Sequence, residues 1–134
     1  GTILAQPAQV IRAAVASNNL AWMYASRGEQ LDRALQLAQA AKADLPDVPA
    51  VNDTLAYVYI KKQLGALAVP LLNQAIAKQA AEKQPGDPSF FYHLGLALAQ
   101  TGDKAAARAA LQQALKLKAD FDGADDARAL LKGL

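Results

Sequence analysis

Between Pro88 and Phe121 the chain reads PSFFYHLGLALAQTGDKAAARAALQQALKLKADF, with apolar or small residues at Phe91, Leu94, Gly95, Leu98, Ala107, Leu111 and Ala114. That spacing predicts a hairpin of two helices. Phe91, Leu94 and Leu98 lie at i, i+3 and i+7 and make the inner stripe of the first helix. Gly95 leaves no side chain between the two backbones, so the second helix can approach closely. Thr101-Gly102-Asp103 is turn chemistry, with Gly102 free to take the positive φ that ends a helix. Ala107 and Ala114 are small contacts on the second helix, and Leu111 is the large one between them. Seven positions at fixed offsets make the pattern specific.

The pattern recurs upstream. In a unit from 14 to 48, NNLAWMY places Leu20, Ala21 and Tyr24 where the later unit has Leu94, Gly95 and Leu98. Arg27-Gly28-Glu29 is its turn, Ala34 and Ala41 are the small contacts, and Pro46 closes it. It is one residue longer than the 34-residue stretch 88–121, and the extra residue is placed in GEQLDRA. A unit from 49 to 87 has Leu55, Ala56 and Tyr59, then Ala68 and Ala75, and is five residues longer. Its excess sits in AKQAAEKQ, ahead of Pro85-Gly86-Asp87-Pro88. The helical composition there predicts a second helix that runs on by more than one extra turn. Pro70 is expected near the start of that helix, where a missing N–H is tolerated. Gly65 is expected to replace the turn glycine absent at Gln63.

Two flanks remain. Residues 1–13 carry Pro7, suited to a first turn. Val10, Ile11 and Val15 form an apolar stripe that continues from there, so the segment is either a lead-in helix or the remnant of a preceding repeat. Residues 122–134, DGADDARALLKGL, start with Asp122 as an N-cap. Asp125 and Asp126 follow in a first turn, where the helix dipole favours anions. Ala127, Leu130, Leu131 and Leu134 give the segment one apolar face. It reads as the capping helix that a repeat array needs over its last open face. The inventory is three repeats and a cap.

Composition narrows the function classes. The formal net charge is +2, with no basic block and no arginine clusters beside exposed aromatics, which argues against nucleic acid as a partner. Charged or polar residues interrupt every apolar run before it reaches the length of a membrane span, so no direct membrane insertion is expected. There is no cysteine, hence no disulfide and no thiol chemistry. Gly1-Thr2-Ile3-Leu4 has no basic region ahead of an apolar core, so it is not expected to be a signal peptide. A first residue other than Met predicts a longer native chain, and cytoplasm and periplasm are both compatible with what is present.

Chemistry has few residues to work with. His93 is the only histidine. It sits between the inner stripe and the concave face, reads as a hydrogen-bonding residue between repeats, and has no acidic orienter in view that would make it a general base. Asp120, Asp122, Asp125 and Asp126 do not make an EF-hand loop: position 5 is Ala124, glycine falls at position 4 and position 12 is Leu131. Helix capping explains the cluster better. No Walker pattern and no GxGxxG occurs. The chain is read as no enzyme, with no cofactor and no metal.

The spacing resembles that of the tetratricopeptide repeat (TPR) family, over residues 14 to 134. The resemblance implies an all-α, right-handed superhelix of antiparallel helix hairpins, three repeats plus a C-terminal capping helix. Within that superfamily, NNLAWMYASRG, AVNDTLAYVYIKKQ with ALAVPLLNQAIA, and FFYHLGLALAQTGDKAAARAALQQAL followed by DDARALL are similar to C-terminal repeats of bacterial proteins of the PEP-CTERM/exosortase and exopolysaccharide-export systems. In the family, the first helices line a concave groove. Carried over, its groove positions are Asn18, Trp22 and Ser26 in the first repeat and Asp53, Tyr57, Ile60 and Lys61 in the second. The third contributes Ser89, Tyr92, Leu96 and Gln100.

Trp22, Tyr57 and Tyr92 would put an aromatic in every first helix, either as anchors for a ligand or packed on neighbouring helices as Tyr24 and Tyr59 are. The family's clamp for acidic C-terminal tails would need lysine, asparagine and arginine where this chain has Asn18, Trp22, Thr54, Ser89 and His93, so no such clamp is expected. The implied function is a protein-protein interaction domain, an adaptor or scaffold that takes a peptide or protein segment in the groove. Apolar anchors would be buried against the aromatics, with Asp53 and Lys61 setting orientation. The alternative is a structural spacer or self-association module of a larger secretion or exopolysaccharide-export protein. An accessory domain of an enzyme, or a binder of RNA or polysaccharide, are further rivals.

Overall fold

Helix ends in this chain are set by a few local devices. The computed structural model describes residues 7–134. Asp87 sits in extended backbone and its carboxylate accepts the Ser89 N–H at 2.8 Å, while Pro88 occupies the first helical position, where its missing N–H is not needed. Asp103 does the same for the next helix, accepting the Ala106 N–H at 3.1 Å. Gly102 ends the helix between them with φ 85°.

The resulting elements are α1 (Ala8–Arg27), α2 (Leu31–Asp44), α3 (Pro49–Lys61), α4 (Gly65–Ala81), α5 (Pro88–Thr101), α6 (Lys104–Leu117) and α7 (Ala124–Gly133). No strand occurs among the described residues. Three antiparallel hairpins, α1/α2, α3/α4 and α5/α6, stack side by side, and α7 packs on α6. The first helices adjoin one another as an inner layer, α1 to α3 to α5. The architecture is an all-α superhelix of helix hairpins. Among the described residues, no helix is long and apolar enough to cross a membrane.

Small residues dominate the core. Among the described residues 15 of the 22 buried apolar ones are alanine, and the largest fully buried side chains are Leu72, Leu111 and Val58. Where side chains are this small, the helices must lie close for their surfaces to meet. Gly95 shows the limit: a Cβ there would stand 2.6 Å from Leu111 Cδ2 and Cγ. The half-buried Phe91, Leu94 and Leu98 line one side of α5, and the buried Phe90 and Ala97 line another.

Four expectations need correction. Gly65 is not the turn glycine. Gln63 takes the left-handed conformation, φ 64°, and Gly65 opens α4, where a Cβ would meet the Ala97 carbonyl oxygen at 2.6 Å. The space beside α5, not the turn, demands glycine there. The extension of α4 is smaller than expected: it has 17 residues against 14 in α2 and in α6, less than one turn, and the rest of the excess lies in the loop before α5. Pro70 lies inside α4, in its second turn, on the exposed side. Asp122 is not the cap of α7: that position belongs to Gly123, φ 108°, with no side-chain cap. Residues 8–13 continue into α1 without a break, and 1–6 lie outside the described residues.

Leu111→Ala is expected to cost about 2–5 kcal/mol, because it empties the contact opposite Gly95. Gly65→Ala should cost about 1–3 kcal/mol, since a backbone carbonyl cannot yield as a side chain can. Urea denaturation followed by circular dichroism measures both. A Gly65→Ala variant as stable as the wild type would refute the close-approach account of that position.

Candidate functional site

In α1 and in α3 the residue that follows the buried alanine of the core lies on the inner face. Trp22 follows the buried Ala21 and Tyr57 follows the buried Ala56, and their rings meet at a centroid distance of 4.6 Å and an interplanar angle of 31°. By the same register α5 offers Leu96 after Gly95, not Tyr92. Tyr92 stands one turn earlier and reaches the row through His93. The His93 ring lies 4.8 Å from Tyr57, 5.7 Å from Trp22 and 5.5 Å from Tyr92. Tyr92 in turn contacts Phe121 at 6.0 Å. The three aromatics of the first helices are therefore joined into one run, with the histidine as the link. Aromatic pairs at these distances add about 0.5–1.5 kcal/mol each beyond their burial.

His93 is only 4% exposed, and its Nδ1 lies 2.6 Å from Asp53 Oδ1 on α3. With the carboxylate as acceptor, Nδ1–H is the donor. This is the acidic orienter not seen in the sequence. The two residues are 40 apart in adjacent repeats, Asp53 three residues before Ala56 and His93 two before Gly95, so no common register in the sequence pairs them. Asp53 is 7% exposed and held by this bond, so it does not present a free charge to a partner. Ile60, 4% exposed, packs in the core with Ala56, Ala68, Leu72 and Ala97 and also borders one of the groove's recesses.

The remaining groove residues are reachable. Trp22 is 36% exposed, Ser26 and Gln100 are exposed, and Asn18, Tyr57, Lys61, Ser89, Tyr92 and Leu96 are half-buried. Ser89 spends its backbone N–H on the Asp87 cap. Gln100 donates from Nε2 to the Ile60 carbonyl at 2.9 Å, tying α5 to the end of α3. Two adjoining recesses open between these side chains. One, of about 280 Å³, is bounded by Trp22, Ser26, Tyr57, Ser89, Tyr92 and His93 and by Asp122, Gly123 and Asp126. The other, of about 360 Å³, lies between Tyr57, Ile60, Lys61, Gln63, Tyr92, Leu96, Gln100 and Asp126.

The start of α7 thus forms a wall of the groove, a role that helix capping alone did not suggest. Gly123 lies flat on Tyr92, and a Cβ there would come within 2.7 Å of that ring. Burial and the nearby carboxylates raise both tyrosine hydroxyls above their ordinary range. For Tyr92 burial acts first and Asp126, Tyr57 and Asp122 add to it, up to about 12. For Tyr57 burial is followed by Asp122, Asp53 and Asp126. On the other side, Lys61 Nζ stands 5.7 Å from the Tyr57 ring centroid. Among the described residues no three His, Asp or Glu side chains gather in a way that would hold a metal ion.

The sequence model of the tetratricopeptide repeat matches residues 88–121. No curated protein matches the chain in sequence. The first TPR domain of human RPAP3 is similar in structure, with a TM-score of 0.74 and 17% identity over 91% of this chain and 92% of that one. The N-terminal domain of stress-induced protein-1 (STI-1) from C. elegans has a TM-score of 0.67 and 17% identity, covering 93% of this chain and 98% of that one.

Two outcomes follow from this geometry. His93→Ala leaves the Asp53 carboxylate buried without a partner and is expected to cost about 3–5 kcal/mol, whereas His93→Gln, which can still donate, should cost less; urea midpoints measure the difference. A phenol whose folded pKa lies above its unfolded value adds stability that is complete below the unfolded pKa. That stability is lost as pH rises through the folded one. For Tyr92 the window runs from the ordinary 10.0 to about 12. Melting temperature should therefore fall less steeply across that window in Tyr92→Phe than in the wild type.

Proposed function

We propose that this chain, with a tetratricopeptide repeat at 88–121 and a fold similar to that of TPR domains, is a protein-protein interaction domain that binds a protein or peptide segment along the concave groove. The observation that carries the reading is the pair of adjoining recesses on the inner layer, with Trp22, Lys61 and Leu96 at their rims. An indole 36% exposed offers large, rigid contact area at low entropic cost, the quality that marks binding hot spots. Catalysis has no comparable support. The single imidazole is 4% exposed and engaged with Asp53. Nucleic acid is disfavoured by the carboxylates of Asp122 and Asp126 at the groove wall.

A second reading has one observation in its favour. Ile11 and Val15 are 41% and 46% exposed on α1, at the end of the stack where no hairpin precedes it among the described residues. That edge suits self-association or a further unit of a spacer in a longer chain, such as the export-system proteins its repeats resemble. Light scattering separates the two. A mass that rises with concentration and returns to the monomer in Ile11→Lys/Val15→Lys would favour the edge.

For the groove, peptides are selected from a displayed random library and tested for binding. Trp22→Ala and Leu96→Lys should weaken the selected peptides by about tenfold or more, about 1.4 kcal/mol. Leu67→Ala, on the exposed side of α4, should leave them unchanged. Equal binding by all three variants, with helicity intact by circular dichroism, would remove the groove as the site.

A further inference from the structure

We propose that the recess between the aromatic run and the start of α7 receives a cationic side chain, an arginine in preference to a lysine, from the bound protein segment. The inference rests on the groove reading above and names the residue chemistry that the groove selects.

The lining shows what would be welcome there. The recess is bounded by the aromatic side chains of Trp22, Tyr57 and Tyr92 and by the carboxylates of Asp122 and Asp126, and no lysine or arginine lines it. The ion pairs among the described residues use Asp32, Asp53, Glu82 and Asp125, whereas Asp122 and Asp126 form none. The contrast inside α7 is direct. Asp125 is paired with Arg128 at 2.8 Å, while its neighbour Asp126 turns to the groove and borders both recesses.

Helix capping cannot absorb that charge. The first turn of α7 supplies the equivalent of about half a positive charge, against two full negative ones. The residual field reaches the ring hydroxyls, because Asp122 and Asp126 both help to raise Tyr57 and Tyr92. The chain's own cation already responds to the same surface, with Lys61 Nζ 5.7 Å from the Tyr57 centroid at the neighbouring recess.

A guanidinium satisfies both halves of the lining at once. It stacks its plane on an aromatic face and directs two N–H groups to one carboxylate. An ammonium does the second as a point charge only. An acidic C-terminal tail would meet repulsion at the same place.

Trp22 is the only tryptophan, so its fluorescence reports the site. The probes are acetylated and amidated peptides of sequence Ala-Ala-Xaa-Ala-Ala, with Xaa arginine, citrulline, norleucine or glutamate. Citrulline keeps the shape of arginine and removes its charge. The expected result is a saturable change with the arginine peptide that weakens as salt is added, and affinity at least about tenfold lower for citrulline. In Asp122→Asn/Asp126→Asn, arginine should fall to the citrulline level while the helical signal is unchanged.

Failure of the arginine peptide to change the signal, equal affinity for citrulline, or full affinity in the double variant overturns the inference. If library-selected peptides still depend on Trp22 but are indifferent to arginine and to both aspartates, the cation is wrong and the groove stands. If selected peptides ignore Trp22 as well, both readings fall.

Discussion

Backbones that lie almost in contact are the condition on which the rest of this structure depends. Alanine and glycine at the interfaces remove the side-chain layer that usually separates helices, so the α5/α6 hairpin closes around Gly95 and Leu111, and α4 leans on α5 through Gly65. Contacts this short are unforgiving, because interiors are packed to the density of a crystal and have little room to shift. The consequence for function is positional. With Ala21 buried against α2 and α3 and Ala56 buried against α4 and α5, the residues after them are carried to the inner face. Trp22 and Tyr57 then have no choice but to meet.

The bond between Asp53 and His93 works in a different way, between α3 and α5. Burying two polar groups is costly unless each satisfies the other, and replacing such a pair with apolar residues is often neutral. The value of this one lies in register. It joins α3 to α5 at a single place, brings the imidazole into the aromatic run, and so connects Tyr57 to Tyr92 across the boundary between the second and third hairpins. The floor of the groove is thereby a continuous surface of rings and not three separate ones.

Much of the fold was legible because local chemistry decides it. The Asp87-Pro88 and Thr101-Gly102-Asp103 stretches carry caps and turn residues whose preferences hold in any context, and the small residues at Ala107 and Ala114 mark a face by spacing alone. What stayed hidden depends on neighbours distant in the chain. Gly65 reads as a turn residue until the Ala97 carbonyl is placed beside it. Asp53 reads as a free groove charge until His93 is placed against it. Tyr92 matches Trp22 and Tyr57 in residue type, though its register is that of Asp53. The acids after Phe121 have a good local reason to exist at a helix start, and that reason concealed their second position at the mouth of the groove.

The groove that results is asymmetric: an exposed indole at the α1 side, carboxylates at the α7 side, and a lysine on the far rim. Such a surface gives a partner both a place to bury apolar area and a direction in which to lie. The most direct measurement of this account is a nuclear magnetic resonance titration of the isotope-labelled chain with a groove-selected peptide. Shifts should concentrate on the Trp22 indole, on Tyr57 and Leu96, and on the amides around Asp126. Shifts confined to the outer helices α2, α4 and α6, with the Trp22 indole unmoved, would contradict it.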